Sequence, residues 1–400
     1  MTKTLGRIIK EKRRYILHKL SGGRLYKKKG AKFYKIPHVY DALSYKKDLP
    51  SLQCTSGKKQ DAVFLWYVPY WENMWGGGHF TIFRFAHLIS KTNKNILYVF
   101  NWEKHYKSRE QLINEFKIAF GNDHKIEIVF DIEEAPENHV AIATTWESVY
   151  HVIQSSKNKK KFYFMQDYES CFYAFGTRSI QANATYELGL HGITGGTWLK
   201  QCFESHGGKA NNYIFSADRD IFYPKNDLGS EIKRLFFYGR PTTERRCYEL
   251  GVNILQQINL KFPDIEILVA GLDNLKQLPF KATLLGNLTL KQTGNLYRTC
   301  DVGIALSATN LSYIPVELMA CGVPVITNNG KNTEWFCKNK INAITCDPFP
   351  SAFVDALTEL KNSKNLRTTI INGGLATIAE TSWEQEAEKI TSYIYDELDD

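Results

Sequence analysis

Residues 301–329 read DVGIALSATNLSYIPVELMACGVPVITNN. The apolar run 302–306 predicts a buried strand, and 323–327 predicts a second. Between them lie a loop of Ser, Thr, Asn and Tyr and a short helix opening near Pro315 and ending at Gly322. A strand–loop–helix unit of this kind sends its loop and helix start out of the carboxyl edge of a parallel sheet, where α/β folds bind ligands. Glu317 stands in the first turn of that helix. A carboxylate there suits a diol such as ribose, which offers two hydroxyl donors to its two oxygens. A first-turn glutamate is also favoured by the helix dipole without any ligand, and periodicity alone does not separate the two readings.

The same alternation runs outward in both directions. Strand-like runs at 62–68, 96–100, 126–130, 140–144, 161–165, 190–194 and 213–215 are interleaved with helical patterns at 80–91, at 180–188 and from 197 onward. A second set follows at 235–238, 265–270, 283–285, 302–306, 323–327 and 343–345. The expected class is α/β, with two doubly wound, Rossmann-like domains facing across a cleft. We expect a basic arm at 1–60, an N-terminal domain at 61–225, a C-terminal domain at 226–380 and a closing helix at 381–400. Residues 216–231 read as a linker.

The chain has 400 residues, 43% of them hydrophobic and 13% aromatic, which is a folded composition rather than a disordered one. Neither a transmembrane-length apolar run nor a signal-peptide core is evident. The eight cysteines show no CxxC pair, so we read them as reduced, mostly packed thiols of a cytoplasmic protein. Charge is uneven. Residues 1–60 hold 17 Lys or Arg against 3 Asp or Glu, a net +14, while the remainder is net −5. Apolar residues recur at helical spacing among the cations of 5–20, which suits an anionic membrane surface. A nucleic-acid backbone or a solvated extension would suit it too, but the acidic body offers no continuous basic groove, and nucleic acid is not the expected partner.

Several residues could carry chemistry. Gly76-Gly77-Gly78 precede a helix, and their backbone N–H groups could approach a phosphate or sugar; a plain tight turn is the alternative. Arg240 closes the first strand of the second domain, with Arg245 and Arg246 just beyond it. Guanidinium forks at a strand edge match phosphate oxygens, although such residues also occur as ordinary surface cations. Gln166 and Asp167 end a strand and could orient a hydroxyl or take a proton, or Asp167 could cap the next segment. Thr197 reads as an N-cap. Asp218-Arg219-Asp220 matches a metal-holding DxD only superficially, since it falls in the linker, and no His/Glu or Cys cluster has metal spacing. No metal or other cofactor is expected.

The order of these pieces resembles the GT-B glycosyltransferases of the large retaining family four, over about residues 60–400. DVGIALS…PVELMACGVPVIT resembles its donor signature, with Glu317 at the place of the ribose-binding second glutamate. FFYGR at 236–240 resembles its Gly-Arg strand, with Arg245 or Arg246 where a pyrophosphate-binding lysine is usual. Ser382-Trp383-Glu384 resembles the start of its last helix, which crosses back to the N-terminal domain. GGGHFTIFRFAHLI, QDYE, ATYELGLHGITGGTWL, FYGRPTTERRCYELGV and LSYIPVE are similar to rhamnan-synthesis rhamnosyltransferases of the WsaF type.

The resemblance implies a retaining, metal-independent transferase moving rhamnose from dTDP-rhamnose to a growing surface polysaccharide or lipid-linked glycan. Its place would be the inner face of the cytoplasmic membrane. The donor would lie on Arg240, Arg245, Ser312, Tyr313, Ile314 and Glu317. The acceptor would meet Gly76, Gly77 and Gly78, with His79, Gln166 and Asp167 at the reacting centre. Two positions depart from the family pattern. Thr309 stands eight residues before Glu317 where the first of the paired glutamates is usual, and Gln166-Asp167 stand where a histidine is often found. These departures keep open a non-catalytic nucleotide- or glycan-binding scaffold, and a transferase using another nucleotide sugar.

Overall fold

The computed structural model describes residues 38–48, 62–71, 77–121, 125–137, 139–155, 158–225, 231–272 and 277–399. The chain divides into a unit ending at Tyr40 and a unit from Asp41 onward, and both sheets belong to the second unit. The expected helix in 5–20 and Gly76 lie outside the described residues.

The first sheet has seven parallel strands: β1 (Phe64–Pro69), β2 (Asn95–Phe100), β3 (Ile126–Val129), β4 (His139–Ala143), β5 (Asn158–Met165), β6 (His191–Gly195) and β7 (Ala210–Tyr213). Their order is β3-β2-β1-β4-β5-β6-β7. Phe64, Leu65, Trp66, Tyr67 and Val68 are all fully buried, because a central strand covered by helices on both faces needs apolar side chains on both. Phe64 pairs with Asn95 on one side and Val140 on the other, so the order reverses at β1 and β4.

The second sheet is also parallel: β8 (Arg234–Tyr238), β9 (Glu266–Ala270), β10 (Thr283–Gly286), β11 (Val302–Ala305), β12 (Val325–Asn328) and β13 (Ile344–Cys346), ordered β10-β9-β8-β11-β12-β13. Here the reversal falls between β8 and β11. The loops leaving those two strands contain Arg240 to Arg246 and Ser307 to Tyr313, which is where a doubly wound sheet opens a ligand crevice.

The final helix, Trp383–Asp399, returns to the first domain and packs on the helix Gly77–Ile89 and on β7. Trp383 meets Phe85 and Tyr313 at ring distances of 5.8 and 5.7 Å, so one side chain contacts both domains. Glu397 anchors the other end through Lys209 at 2.6 Å. The segment expected to be a loose linker is tied to this crossover. Arg219 donates from Nη2 to the carbonyls of Ile378, Ala379 and Thr381, and Thr381 donates its hydroxyl to Ser216 Oγ.

Three local expectations need correction. The strand expected at 213–215 is Ala210–Tyr213, with Phe215 instead packed against Tyr313 and Trp335. Gly77 and Gly78 are not a turn but the first residues of the helix Gly77–Ile89. Thr197 is the first residue of its helix rather than the N-cap, which is Gly196. Gly196 has φ 86°, and a Cβ there would lie 2.5 Å from the Trp335 indole, so glycine is needed for both conformation and space. The described cysteines are all free, as expected, and Cys300, Cys321 and Cys337 are buried. Among the described residues no helix is long and apolar enough to cross a membrane.

Candidate functional site

The loop after β11 is held open-ended by its own domain. Asn328 accepts from the Ser307 N–H and donates to the Ser307 carbonyl, at 2.9 and 3.0 Å, and Asn332 donates to the same carbonyl at 2.9 Å. Ser307 Oγ donates to the Asn310 carbonyl at 2.6 Å. Arg246 closes the loop from the β8 side, donating from Nη1 to Ser307 Oγ at 2.5 Å and to the Asn310 carbonyl at 2.9 Å. These bonds fix Thr309 and Asn310 at the tip, facing the other sheet.

Asp167 enters this tip from the end of β5 and is almost fully buried. Its Oδ1 accepts from the Asn310 N–H at 2.8 Å and from the Tyr168 N–H at 2.9 Å. Its Oδ2 accepts from the Thr309 hydroxyl at 3.0 Å and from Arg245 Nε at 3.1 Å, with Arg246 Nη2 at 3.5 Å. Every lone-pair direction of the carboxylate is engaged. The capping role considered for Asp167 extends only to the Tyr168 N–H, because its other partners come from the second domain. Arg245 also stacks on Phe172 of the first domain, 3.8 Å from the ring centre. Burial pulls the Arg246 pKa down, partly countered by Asp167.

Asn310 is the companion contact and has no exposed surface. Its Nδ2 donates to the carbonyls of Gln166 and Gly195, at 2.9 and 2.7 Å, at the ends of β5 and β6. Its Oδ1 accepts from Trp335 Nε1 at 3.1 Å. No sequence signal singled out Asn310, because a polar residue in a polar loop carries no pattern.

A second cluster forms at the start of the helix Gly77–Ile89. A Cβ at Gly77 would lie 3.5 Å from the Tyr313 ring, and one at Gly78 would lie 3.3 Å from Gln166 Oε1. Tyr313 shares a hydrogen bond with Thr81 across the domains at 2.8 Å. The structure therefore brings Gly77, Gly78, Gln166 and Tyr313 together, beside the Asp167–Arg245 contact. His79 is turned elsewhere. Its ring lies 6.3 Å from Trp71 and 6.1 Å from Phe83, burial lowers its pKa to about 4, and Nε2 has no hydrogen-bond partner among the described residues.

Glu317 lies in the first turn of the helix Ile314–Ala320, with Pro315 inside that turn. Its Oε2 accepts from the Tyr297 hydroxyl at 3.4 Å, and burial, then Asp218, raises its pKa to about 7. Asp218 itself pairs with Arg84, which sits between the rings of Phe80 and Trp383, 4.7 Å from each. This aspartate is thus engaged by a cation, and among the described residues no three acidic, His or Cys side chains gather as metal ligands would. Arg240 is exposed at the end of β8, while Ser312 and Ile314 are partly exposed beside Tyr313. Tyr297 and Arg84 were missed in the sequence, where each reads as an ordinary helix residue.

Residues 233–358 match the family model described as the WsaF C-terminal domain. The O-antigen biosynthesis protein RfbC of Myxococcus xanthus is 32% identical over 336 residues, covering 81% of this chain. The chain spans about a quarter of the length of that curated relative, 26%. Among solved structures, HepE of Anabaena in complex with UDP and glucose superposes with a TM-score of 0.64 at 12% identity, covering 83% of this chain and 99% of that one. Sucrose-phosphate synthase of Thermosynechococcus elongatus gives 0.62 at 12% identity, covering 84% and 99%. At such identities the likeness is one of fold: two Rossmann-like domains in the GT-B arrangement.

Proposed function

We propose that this chain, which belongs with the WsaF-like proteins of the GT-B fold, is a glycosyltransferase of surface-polysaccharide assembly that uses a nucleotide sugar. One observation carries the reading. Between the two sheets, Arg245 and Tyr313 of the second domain meet Asp167, Thr81 and a glycine-opened helix start of the first, with Gln166 beside that start. A guanidinium fork suits the diphosphate, and a half-buried carboxylate suits a hydroxyl of the nucleotide's pentose. The helix N-terminus at Gly77–Gly78 favours negative charge building on a departing phosphate. The UDP held by HepE and the O-antigen role of RfbC support the same class of donor and product.

In this reading Arg240, Arg245, Ser312, Tyr313, Ile314 and Glu317 hold the donor. Gly77, Gly78 and Gln166 face the acceptor. Transfer proceeds with retention and without a metal, the leaving diphosphate assisting the incoming hydroxyl. The donor is dTDP-rhamnose, and the cations of residues 1–60 hold the protein on the anionic inner face of the membrane, near a lipid-linked glycan. His79 packs among aromatic rings, where burial lowers its pKa to about 4, and in this reading it supports the helix start.

The test is transfer from dTDP-rhamnose to a rhamnosylated acceptor, run beside UDP- and GDP-sugars. Rhamnosyl transfer from the dTDP donor alone is the expected result. Bound dTDP without transfer from any donor would favour a binding scaffold, a reading that Thr309 at the usual glutamate position keeps specific.

A further inference from the structure

We propose that Asp167 is a built-in competitor for the donor: its carboxylate sits in the anion-binding position on Arg245 and Arg246 that the diphosphate must take. This rests on the reading of the crevice as a nucleotide-sugar site. It adds that donor binding is coupled to release of a contact between the two domains.

The donor set around Asp167 is that of a phosphate site. One guanidinium at 3.1 Å, a second at 3.5 Å, a hydroxyl at 3.0 Å and a backbone N–H at 2.8 Å converge on a single anionic group. All four belong to the C-terminal domain. The anion they surround belongs to the N-terminal domain.

Three of these donors do not depend on Asp167 for their placement. Arg246 is fixed through Nη1 by Ser307 and the Asn310 carbonyl, and the loop bearing Thr309 and Asn310 is pinned by Asn328 and Asn332. When Asp167 withdraws, a set of donors oriented for an anion remains. Arg240 adds a further cation to the same field, so one carboxylate leaves the cluster net positive.

A static tie and a competitor make opposite predictions. If Asp167 only braces the site, removing it disorders the arginines and weakens anion binding. If Asp167 competes, removing it strengthens anion binding, because the incoming anion no longer displaces an internal one.

Inorganic pyrophosphate, dTDP and UDP are titrated calorimetrically into the full chain, its Asp167→Asn and Asp167→Ala variants, and the double variant Asp167→Asn/Arg245→Ala. Asp167→Asn keeps an acceptor for the Asn310 N–H, so it reports even where Asp167→Ala fails to fold. The expected result is pyrophosphate binding about tenfold or more tighter in Asp167→Asn, with the gain lost in the double variant. Equal or weaker binding in Asp167→Asn overturns the proposal. The nucleotide reading fails separately: a pyrophosphate gain with no dTDP or UDP binding sinks that reading and leaves the competitor. Tight dTDP binding that Asp167→Asn leaves unmoved does the reverse.

Discussion

Thr309 gives its hydroxyl to Oδ2 of Asp167 across 3.0 Å, joining the loop after β11 to the end of β5. The residue standing where the resembled family has a glutamate thus touches a carboxylate supplied by the other domain. A glutamate at 309 would put two buried carboxylates in contact, so the identities of the two positions are physically linked.

Asn310 tests how far this junction holds the domains together. Asn310→Ala removes the amide donor that the Gln166 and Gly195 carbonyls share and leaves Trp335 Nε1 with only the Asn332 carbonyl. Unpaired buried polar groups cost about 1–3 kcal/mol each, so a loss of about 3 kcal/mol is expected in urea unfolding. A loss under about 1 kcal/mol would show that water replaces the amide freely.

Glu317 makes donor binding depend on pH. Burial holds its pKa near 7, and only the ionised form offers both oxygens as acceptors to a pentose hydroxyl of the donor. Affinity for a nucleotide sugar, whose diphosphate does not titrate in this range, should therefore fall about tenfold from pH 8 to pH 6. Glu317→Gln should bind more weakly at pH 8 and lose the pH dependence. An affinity profile that is identical in the variant removes the assignment of Glu317 to the donor's pentose.

Glu169 sets a separate dependence, in stability. It is buried, accepting from the Trp146 N–H and the Tyr163 hydroxyl at 2.9 Å each, and burial raises its pKa to about 8. The unfolded chain releases this proton near pH 4.3, whereas the folded one keeps it. The folded state therefore binds more protons between these values, and its stability falls as pH rises from about 4.5 to 8. Denaturant midpoints taken across that window should show the decline, and Glu169→Gln should flatten it. A midpoint that climbs through the window in the parent and is unaltered in Glu169→Gln contradicts the assignment.

The arm is tested by charge. Each Lys near an anionic surface contributes about 1 kcal/mol. Replacing Lys27, Lys28 and Lys29 by Glu should weaken binding to phosphatidylserine vesicles about a hundredfold or more. Transfer to a soluble acceptor should be unaffected. Vesicle binding that survives the change places the anchor elsewhere.

Periodicity is enough to place both sheets, because a parallel strand buried on two faces must be apolar throughout and so stands out, as 64–68 and 302–305 do. It is also enough to bring Glu317 and the arginines to a sheet edge. It misjudges segments whose structure is decided by contacts far along the chain. The 213–215 run overlaps its strand only at Tyr213, and Phe215 beyond it is apolar because it packs on Tyr313 and Trp335. Residues 216–220 look like a linker but are pinned by Arg84 and by the carbonyls of the closing helices.

What the amino-acid order alone determined is the pair of α/β domains, the crevice and the kind of groups lining it, since those follow from hydrophobic pattern and chain position. What only the tertiary structure decided is how the groups are used. Asp167 proved to be a saturated anion held by Thr309, Asn310, Arg245 and Arg246, and His79 a neutral ring among aromatics. A side chain's role depends on which charges and donors surround it, and for Asp167 those neighbours come from the other domain, far along the chain.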